Sequence, residues 1–200
     1  MYMQQHSIEN IIQQIKDHPD NAKFNKLGYS PIVNLTTKSK IILVSQAPSF
    51  MAQLTDKPWT DISGKVLQNW LGVTAETFYN RDNFAILPMD FYYPGKASTG
   101  DLPPRANFTP LWHSQLLSLM PNVQLMVLIG RYAQKYYLKC SSKSTLTGTV
   151  QAYGEYLPAY FPIVHPSPLN NRWHIKNPWF TEQVVPKLQT IIQKILDTSN

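Results

Sequence analysis

Four short apolar runs, rich in β-branched and aromatic residues, most constrain how this chain of 200 residues can fold. The runs cover residues 40–44, 84–87, 124–129 and 160–164. Apolar runs of this length without alternation are typical of strands that are buried on both faces. Strands that alternate with helices form a parallel sheet covered on both sides. We therefore predict an α/β fold, with three α/β/α layers around a central four-stranded parallel sheet.

Apolar residues recur at helical spacing between and outside these runs. The clearest internal helices are expected at residues 64–71, 109–119 and 131–138. An N-terminal helix is predicted from Ser7, as its N-cap, to about Asp17, and Pro186 suits the first turn of a C-terminal helix. The apolar stripes of these two helices are Ile8, Ile11, Ile12 and Ile15, and Leu188, Ile191, Ile192 and Ile195. Both stripes are interpreted as core packing.

Composition favours one compact domain over residues 1–200, in which residues 1–39 form a helical N-terminal extension. Apolar residues make up 43% of the chain, and no Gly/Ser-rich or charged linker divides it. No apolar run approaches the length of a membrane span, and the first residues lack a signal-peptide pattern. We therefore expect a soluble, cytoplasmic protein.

The number of cysteines and the spacing of the histidines argue against a metal site. Cys140 is the single cysteine, which excludes an internal disulfide and any site built from four cysteines. The five histidines show no ligand spacing. We expect no metal and no cofactor. The formal net charge of +6 favours a polyanionic partner, although charge alone is weak evidence for nucleic acid.

The segment His165-Pro166-Ser167-Pro168-Leu169 directly follows the last apolar run. Two prolines fix two φ angles, so the loop loses little entropy when it binds something, and Ser167 offers a hydroxyl. The carboxyl ends of parallel strands are where open α/β sheets bind ligands. The segment therefore predicts a stiff ligand-binding loop at that edge of the sheet.

A second loop of similar composition, Ser45-Gln46-Ala47-Pro48-Ser49-Phe50, follows the first apolar run. Together the two loops resemble those of the uracil-DNA glycosylase superfamily. In that superfamily the first strand ends in Gly-Gln-Asp-Pro-Tyr or Gly-Glu-Ala-Pro-Gly and the last in His-Pro-Ser-Pro-Leu. The stretch from Lys57-Pro58-Trp59 through Ser63-Gly64 to Leu67 is similar to a third superfamily segment. The resemblance extends from about Ile41 to about Phe180.

This resemblance implies a monofunctional DNA glycosylase that flips a damaged base, with uracil the first expectation, out of DNA and excises it by hydrolysis. A glycosylase must extrude the nucleotide because a stacked base is out of reach. The cysteine-rich iron–sulphur branch is excluded by the single cysteine. The expected partner is DNA containing a damaged or deaminated base, and the expected acting unit is a monomer.

The resemblance also implies roles for individual residues. His165 would donate a hydrogen bond to the departing base, Gln46 would orient water, and Asp90 would supply a carboxylate, with Asp61 as an alternative. Ala47 stands where the most active members have aspartate, while other members have asparagine or alanine there and work by orienting water. The base-binding residues are predicted to be Ala47, Phe50, Trp59 and Met89. The DNA-binding residues are predicted to be Ser167, Pro168, Leu169, Asn170 and Arg172.

Two other interpretations of the sequence remain. A non-catalytic module that binds damaged or single-stranded DNA would also fit Ala47 and the absence of the asparagine with which superfamily members usually read uracil. An unrelated hydrolase using His165 with a serine has less support, because the chain lacks the Gly-x-Ser-x-Gly elbow.

Overall fold

The computed structural model describes residues 2–139 and 145–198, the first five of them through their backbone only. Cys140 lies outside the described residues. A four-stranded, wholly parallel sheet in the order β2-β1-β3-β4 forms the centre of the described structure. Its strands are β1 (Ile41–Val44), β2 (Phe84–Ile86), β3 (Leu125–Ile129) and β4 (Tyr160–Ile163). The predicted four-stranded parallel sheet is therefore confirmed, and each strand lies within its predicted apolar run.

Helices cover both faces of this sheet. They are α1 (Tyr2–Asp17), α2 (Ala22–Lys26), α3 (Phe50–Thr55), α4 (Ile62–Leu71), α5 (Ala75–Tyr79), α6 (Phe108–Leu117), α7 (Arg131–Tyr137), α8 (Leu146–Gln151), α9 (Asn171–Lys176) and α10 (Val185–Asp197). Short 3-10 turns cover Pro19–Asn21, Tyr153–Tyr156 and Pro168–Asn170, and a π turn covers Phe180–Val184. None of the described helices is both long and apolar enough to cross a membrane.

Successive strand residues point into two separate cores. Ile41 and Leu43 pack with Leu67 of α4 and Leu188 of α10 on one face of the sheet. On the opposite face, the intervening strand residues pack with α1 and α6; they include Ile42, Val44, Met126 and Leu128. Side chains alternate along a strand, so two apolar faces require two covering layers. This alternation produces the three-layer α/β/α architecture predicted from the sequence.

The N-terminal helix differs from its prediction at its start. α1 begins at Tyr2, so Ser7 lies inside the helix and not at its N-cap. An N-cap residue has non-helical backbone angles, which a residue within a continuous helix does not adopt. The predicted stripe is nevertheless oriented as expected, because Ile8 and Ile15 are buried in the core that α1 shares with α6. The C-terminal helix begins at Val185, with Pro186 in its first turn as predicted.

Candidate active site

A cavity of about 200 Å³ opens at the carboxyl ends of the strands. It is smaller than the roughly 300–1,000 Å³ pockets that hold drug-sized ligands, and so suits a single small ring. One part of its lining comes from residues at the ends of β1, β2 and β4 or just after them. The other part comes from the loops before α4 and α6. The lining includes Ser45, Ala47, Ser49, Trp59, Asp61, Ser63, Pro88, Asp101, His165 and Ser167.

The loop after β1 is held against the loop after β2. Pairing between the two strands continues beyond their ends, because Ser45 O accepts a hydrogen bond from Met89 N at 2.7 Å and Gln46 O accepts one from Asp90 N at 3.2 Å. Ser49 then caps α3 by accepting from Ala52 N at 3.1 Å. Backbone bonds of this kind fix the wall that Ala47 contributes to the cavity.

His165 stands two residues beyond β4, at the start of a closed turn. The Asn170 side-chain amide donates to His165 O at 2.7 Å, which ties the two ends of the turn together. Burial lowers the pKa of His165 below 6.5, although the nearby carboxylates of Asp61 and Asp101 act in the opposite direction. A neutral imidazole carries one N–H, so near pH 7 His165 is able to donate one hydrogen bond into the cavity without bearing charge.

Trp59 forms the wall beside His165, and their ring centroids are 5.6 Å apart. Its backbone has a left-handed φ of 61°, and the Tyr79 hydroxyl donates to Trp59 O at 2.9 Å. Gly64 makes this conformation possible, because a Cβ atom at Gly64 would lie 1.7 Å from Trp59 O. The conformation of Trp59 therefore depends on the glycine at position 64. Asp61, which lies between them in the sequence, caps α4 by accepting a hydrogen bond from Gly64 N at 3.0 Å.

Asp90 does not lie in the cavity, which corrects the prediction of a catalytic carboxylate there. Its side chain is only 1% exposed and pairs with the Arg105 guanidinium at 2.7 and 2.8 Å. Both carboxylate oxygens also accept backbone bonds, from Tyr92 N and Arg105 N. A carboxylate engaged in this way is a structural anchor. Asp61, the alternative named from the sequence, does line the cavity, and so does Asp101.

Three further predicted side chains also lie outside the cavity lining. Gln46 donates its amide to Leu102 O at 2.7 Å, so it holds a loop and does not point at a water site in the cavity. Met89 is 5% exposed and packs in the α1–α6 core. Phe50 is 48% exposed on the outer side of α3, where its ring contacts that of Tyr93. Of the residues predicted to bind the base, Ala47 and Trp59 line the cavity, whereas Phe50 and Met89 do not.

The predicted DNA-binding residues form a turn at the mouth of the cavity. Ser167 lines the cavity and caps the 3-10 turn Pro168–Asn170, accepting from Leu169 N at 3.2 Å. Leu169 is 85% exposed at the apex of this turn. Arg172 follows on the exposed part of α9. An apolar apex on a stiff turn beside an exposed cation suits contact with a stacked, charged polymer.

Residues 33–189 match the family model of the Uracil DNA glycosylase superfamily. This chain belongs to that superfamily. The fold is also similar to the solution NMR structure of a proposed uracil DNA glycosylase from Methanosarcina acetivorans, with a TM-score of 0.50 and 12% sequence identity. That match covers 80% of this chain and 93% of the other. At this identity the structural similarity shows a shared fold only. The match to the family model is what establishes membership of the superfamily, which the two loop motifs predicted.

The carboxylates of this site do not come from the loop after β1. The β1 loop contributes the methyl group of Ala47 to the cavity, whereas the acidic residues come from the loops before α4 and α6. Sequence reasoning identified Asp61 only as an alternative and missed Asp101, which lies far from any strand end along the chain. Its one sequence signal is the glycine at position 100, which permits a tight turn beside it.

Sequence reasoning also missed Gln53, a buried amide behind the cavity. Its Nε2 donates to Ser30 O at 2.8 Å, and its Oε1 accepts from Tyr93 N at 3.0 Å. A buried amide with both ends bonded fixes the backbone segments that it joins. Gln53 therefore positions the start of the loop that leads to Asp101.

Proposed function

We propose that this protein is a monofunctional DNA glycosylase that acts as a monomer, flips a damaged base out of DNA and hydrolyses its N-glycosidic bond, with uracil as the preferred base. The observation that carries the proposal is the meeting of His165, Trp59 and the Ala47 loop around one small cavity. Membership of the superfamily supports this chemistry and DNA as the partner.

His165 is the proposed electrophile. As the C1′–N bond breaks, negative charge develops on the departing base, and a fixed N–H donor lowers the barrier by stabilising that charge. Burial keeps the imidazole neutral, as its lowered pKa indicates. A neutral donor suits this role because it binds the developing anion without first transferring a proton to the base. Asn170 fixes the backbone that carries the ring.

Base selection is proposed to use the size and the polar edge of the cavity. Trp59 and Ile86 supply flat and apolar walls, while Ser45 and Ser63 bring hydroxyl groups that both donate and accept. A pyrimidine with two carbonyl oxygens and a ring N–H, such as uracil, matches such an edge. The methyl group of thymine would be rejected only weakly, since one methyl in an apolar pocket changes binding by about 1–3 kcal/mol.

The turn that follows His165 is proposed to hold the DNA strand. Ser167 would contact a phosphate, and Leu169 would fill the space left in the stack by the extruded nucleotide. An exposed leucine gains about 1.5–3 kcal/mol when it becomes buried, which offsets part of the cost of unstacking. Arg172 on α9 and Lys57, next to the cavity-lining Pro58, are exposed cations and would bind phosphates without reading sequence.

Base release from oligonucleotides that carry uracil, hypoxanthine, xanthine or a thymine mismatch tests this proposal. We expect the wild-type protein to release uracil, and His165→Ala to lower the rate at least about 100-fold, the usual scale for one such donor. His18→Ala is a matched control, because His18 lies at the end of α1 and outside the cavity lining. A folded His165→Ala variant with an unchanged rate would contradict the assignment.

A non-catalytic module for damaged or single-stranded DNA is the second candidate, and one observation favours it. The cavity wall at Ala47 carries a methyl group where a carboxylate or amide would activate water. Such a module would bind the same oligonucleotides, release no base from any of them, and retain its affinity in His165→Ala.

A further inference from the structure

The loop between β2 and α6 folds into a small hairpin over the cavity. Leu102 N donates to Gly95 O at 2.9 Å and Ala97 N donates to Gly100 O at 3.1 Å, which places Lys96 opposite Asp101. Gly100 lies within the turn with a φ of 74°, a conformation that side chains rarely adopt. The hairpin brings Asp101 to the cavity although fourteen residues separate it from the end of β2.

This hairpin is fixed from three directions. The Gln46 amide holds its second strand at Leu102 O, and Gln53 holds the backbone of Tyr93 just before its first strand. The Asp90–Arg105 ion pair joins the two ends of the whole loop. Preorganisation of this kind is what a catalytic group needs, because a displacement of about 1 Å from the productive geometry costs about 100-fold in rate.

The Asp101 carboxylate is held through one oxygen. The Tyr93 hydroxyl and the Lys96 ammonium both donate to Oδ1, each at 3.3 Å. Oδ2 accepts no hydrogen bond from a side chain or backbone group of the described residues. Asp101 and His165 line the same cavity, so a carboxylate with one available oxygen shares that cavity with the imidazole.

We propose that Asp101 is a catalytic residue, the carboxylate that activates the attacking water in place of an acid in the β1 loop. The inference rests on the glycosylase function proposed above. The C1′–N bond breaks and its electron pair leaves with the base, while His165 donates a hydrogen bond to the base oxygen. Water oxygen then bonds to C1′, one water proton passes to Asp101, and that proton finally neutralises the departed base anion.

Among the carboxylates near the site, Asp101 fits this role best. Asp90 is buried in its ion pair and does not line the cavity. Asp61 lines the cavity too and is likewise held through one oxygen, but that oxygen is the N-cap of α4, so Asp61 already has a structural role. Asp101 caps none of the described helices, and its Oδ1 is held by Tyr93 and Lys96. The exposed Lys96 contributes little to the energy of the pair, since water screens its charge.

Single-turnover excision of uracil from a single-stranded oligonucleotide tests the inference, with DNA binding measured in parallel. We expect Asp101→Asn to lower the chemical rate at least about 100-fold, within the range for a general base. Its Kd for DNA should stay the same or fall, because a negative charge near phosphates is removed. Asp101→Glu should recover part of the rate.

Asp56→Asn is the matched control. Asp56 is an exposed carboxylate three residues before Trp59, it does not line the cavity, and asparagine tolerates its left-handed φ of 52°. We expect its rate to equal that of the wild type and Asp61→Asn to stay within tenfold. The inference would be overturned if Asp101→Asn lowered the rate by less than 100-fold, or if Asp61→Asn lowered it by more than tenfold. A wild-type protein that releases no base would instead overturn the proposed function.

Discussion

Trp59 shows how one residue's conformation depends on the size of another. Its left-handed backbone brings its carbonyl against α4, where only a residue without a side chain can stand. Strained backbone of this kind costs about 1–3 kcal/mol and persists only where its surroundings hold it in place. Here the absence of a side chain at Gly64 leaves room for Trp59 O, and the Tyr79 hydroxyl donates a hydrogen bond to that oxygen. The wall of the cavity is therefore determined by a glycine that does not itself line the cavity.

We predict that Gly64→Ala lowers base excision about 100-fold, because the added methyl forces Trp59 O to move by an ångström or more. Gly154→Ala is the control, since a Cβ atom there meets nothing within 4 Å. Excision kinetics and the Trp fluorescence of both variants measure the effect. Unchanged kinetics in Gly64→Ala would show that the position of Trp59 does not limit the reaction.

At the residue scale the sequence predicted the part of the site that lies next to strand ends. His165, Ala47 and Ser167 line the cavity because they directly follow β4 and β1. Asp90 has an equivalent position after β2, but Arg105 draws its carboxylate into the core. That pairing depends on a contact across fifteen residues, which no local pattern encodes. Asp101 was missed for the same reason.

At the scale of elements, the buried ion pair between Asp90 and Arg105 anchors the loop between β2 and α6. Arg105 binds both Asp90 oxygens, and its remaining nitrogen donates to Asn21 Oδ1 at 2.7 Å and to Asp20 O at 3.2 Å. The guanidinium also lies 4.6 Å from the centre of the Phe108 ring. One side chain thus connects the loop, the start of α6 and the turn after α1.

We expect Arg105→Ala to reduce the free energy of unfolding by about 3–5 kcal/mol, because it leaves the buried Asp90 carboxylate without its partner. Chemical denaturation measures this change. Arg81→Ala removes an exposed arginine and should change stability by no more than about 0.5 kcal/mol. If the two variants were equally stable, the ion pair would not be the anchor of the loop.

The longer elements could be predicted because their apolar patterns are unambiguous. The four strands and helices α4, α6 and α7 lie within about two residues of their predicted bounds, and α10 has Pro186 in its first turn as predicted. The start of α1 was misplaced because Ser7 has the chemistry of a cap without its backbone conformation. Short helices such as α3 and α9 were not predicted, since six residues carry too little periodicity and their ends are set by tertiary contacts.

For the molecule as a whole, a buried histidine makes stability depend on pH. His113 Nε2 donates to Pro88 O at 2.9 Å, because a carbonyl only accepts, and Nδ1 therefore accepts from the Tyr137 hydroxyl. Burial lowers the pKa of His113 to about 4 from 6.5. Below pH 6.5 the unfolded chain binds a proton that the folded protein excludes, so this contribution to stability is complete above pH 6.5 and is lost as the pH falls towards 4.

Between pH 7 and pH 4 we predict that His113 accounts for about 3 kcal/mol of lost stability, from 1.36 kcal/mol for each unit of pKa difference. Denaturation at both pH values, compared with His113→Gln, isolates the effect because glutamine does not titrate. The variant should lose about 3 kcal/mol less than the wild type over this interval. Equal losses would mean that His113 titrates normally in the folded protein.

The bonds from Arg105 to the turn after α1 have a consequence for how the protein can be divided. The family match begins at residue 33, yet Asp20 and Asn21 precede it and hold the loop that carries Asp101. Ile8, Ile15 and Phe24 precede it too, and they are buried in the core beneath that loop. A fragment cut at the boundary of the family match would therefore lose the helices that pack beside α6 on this face of the sheet, and with them a support of the candidate active site.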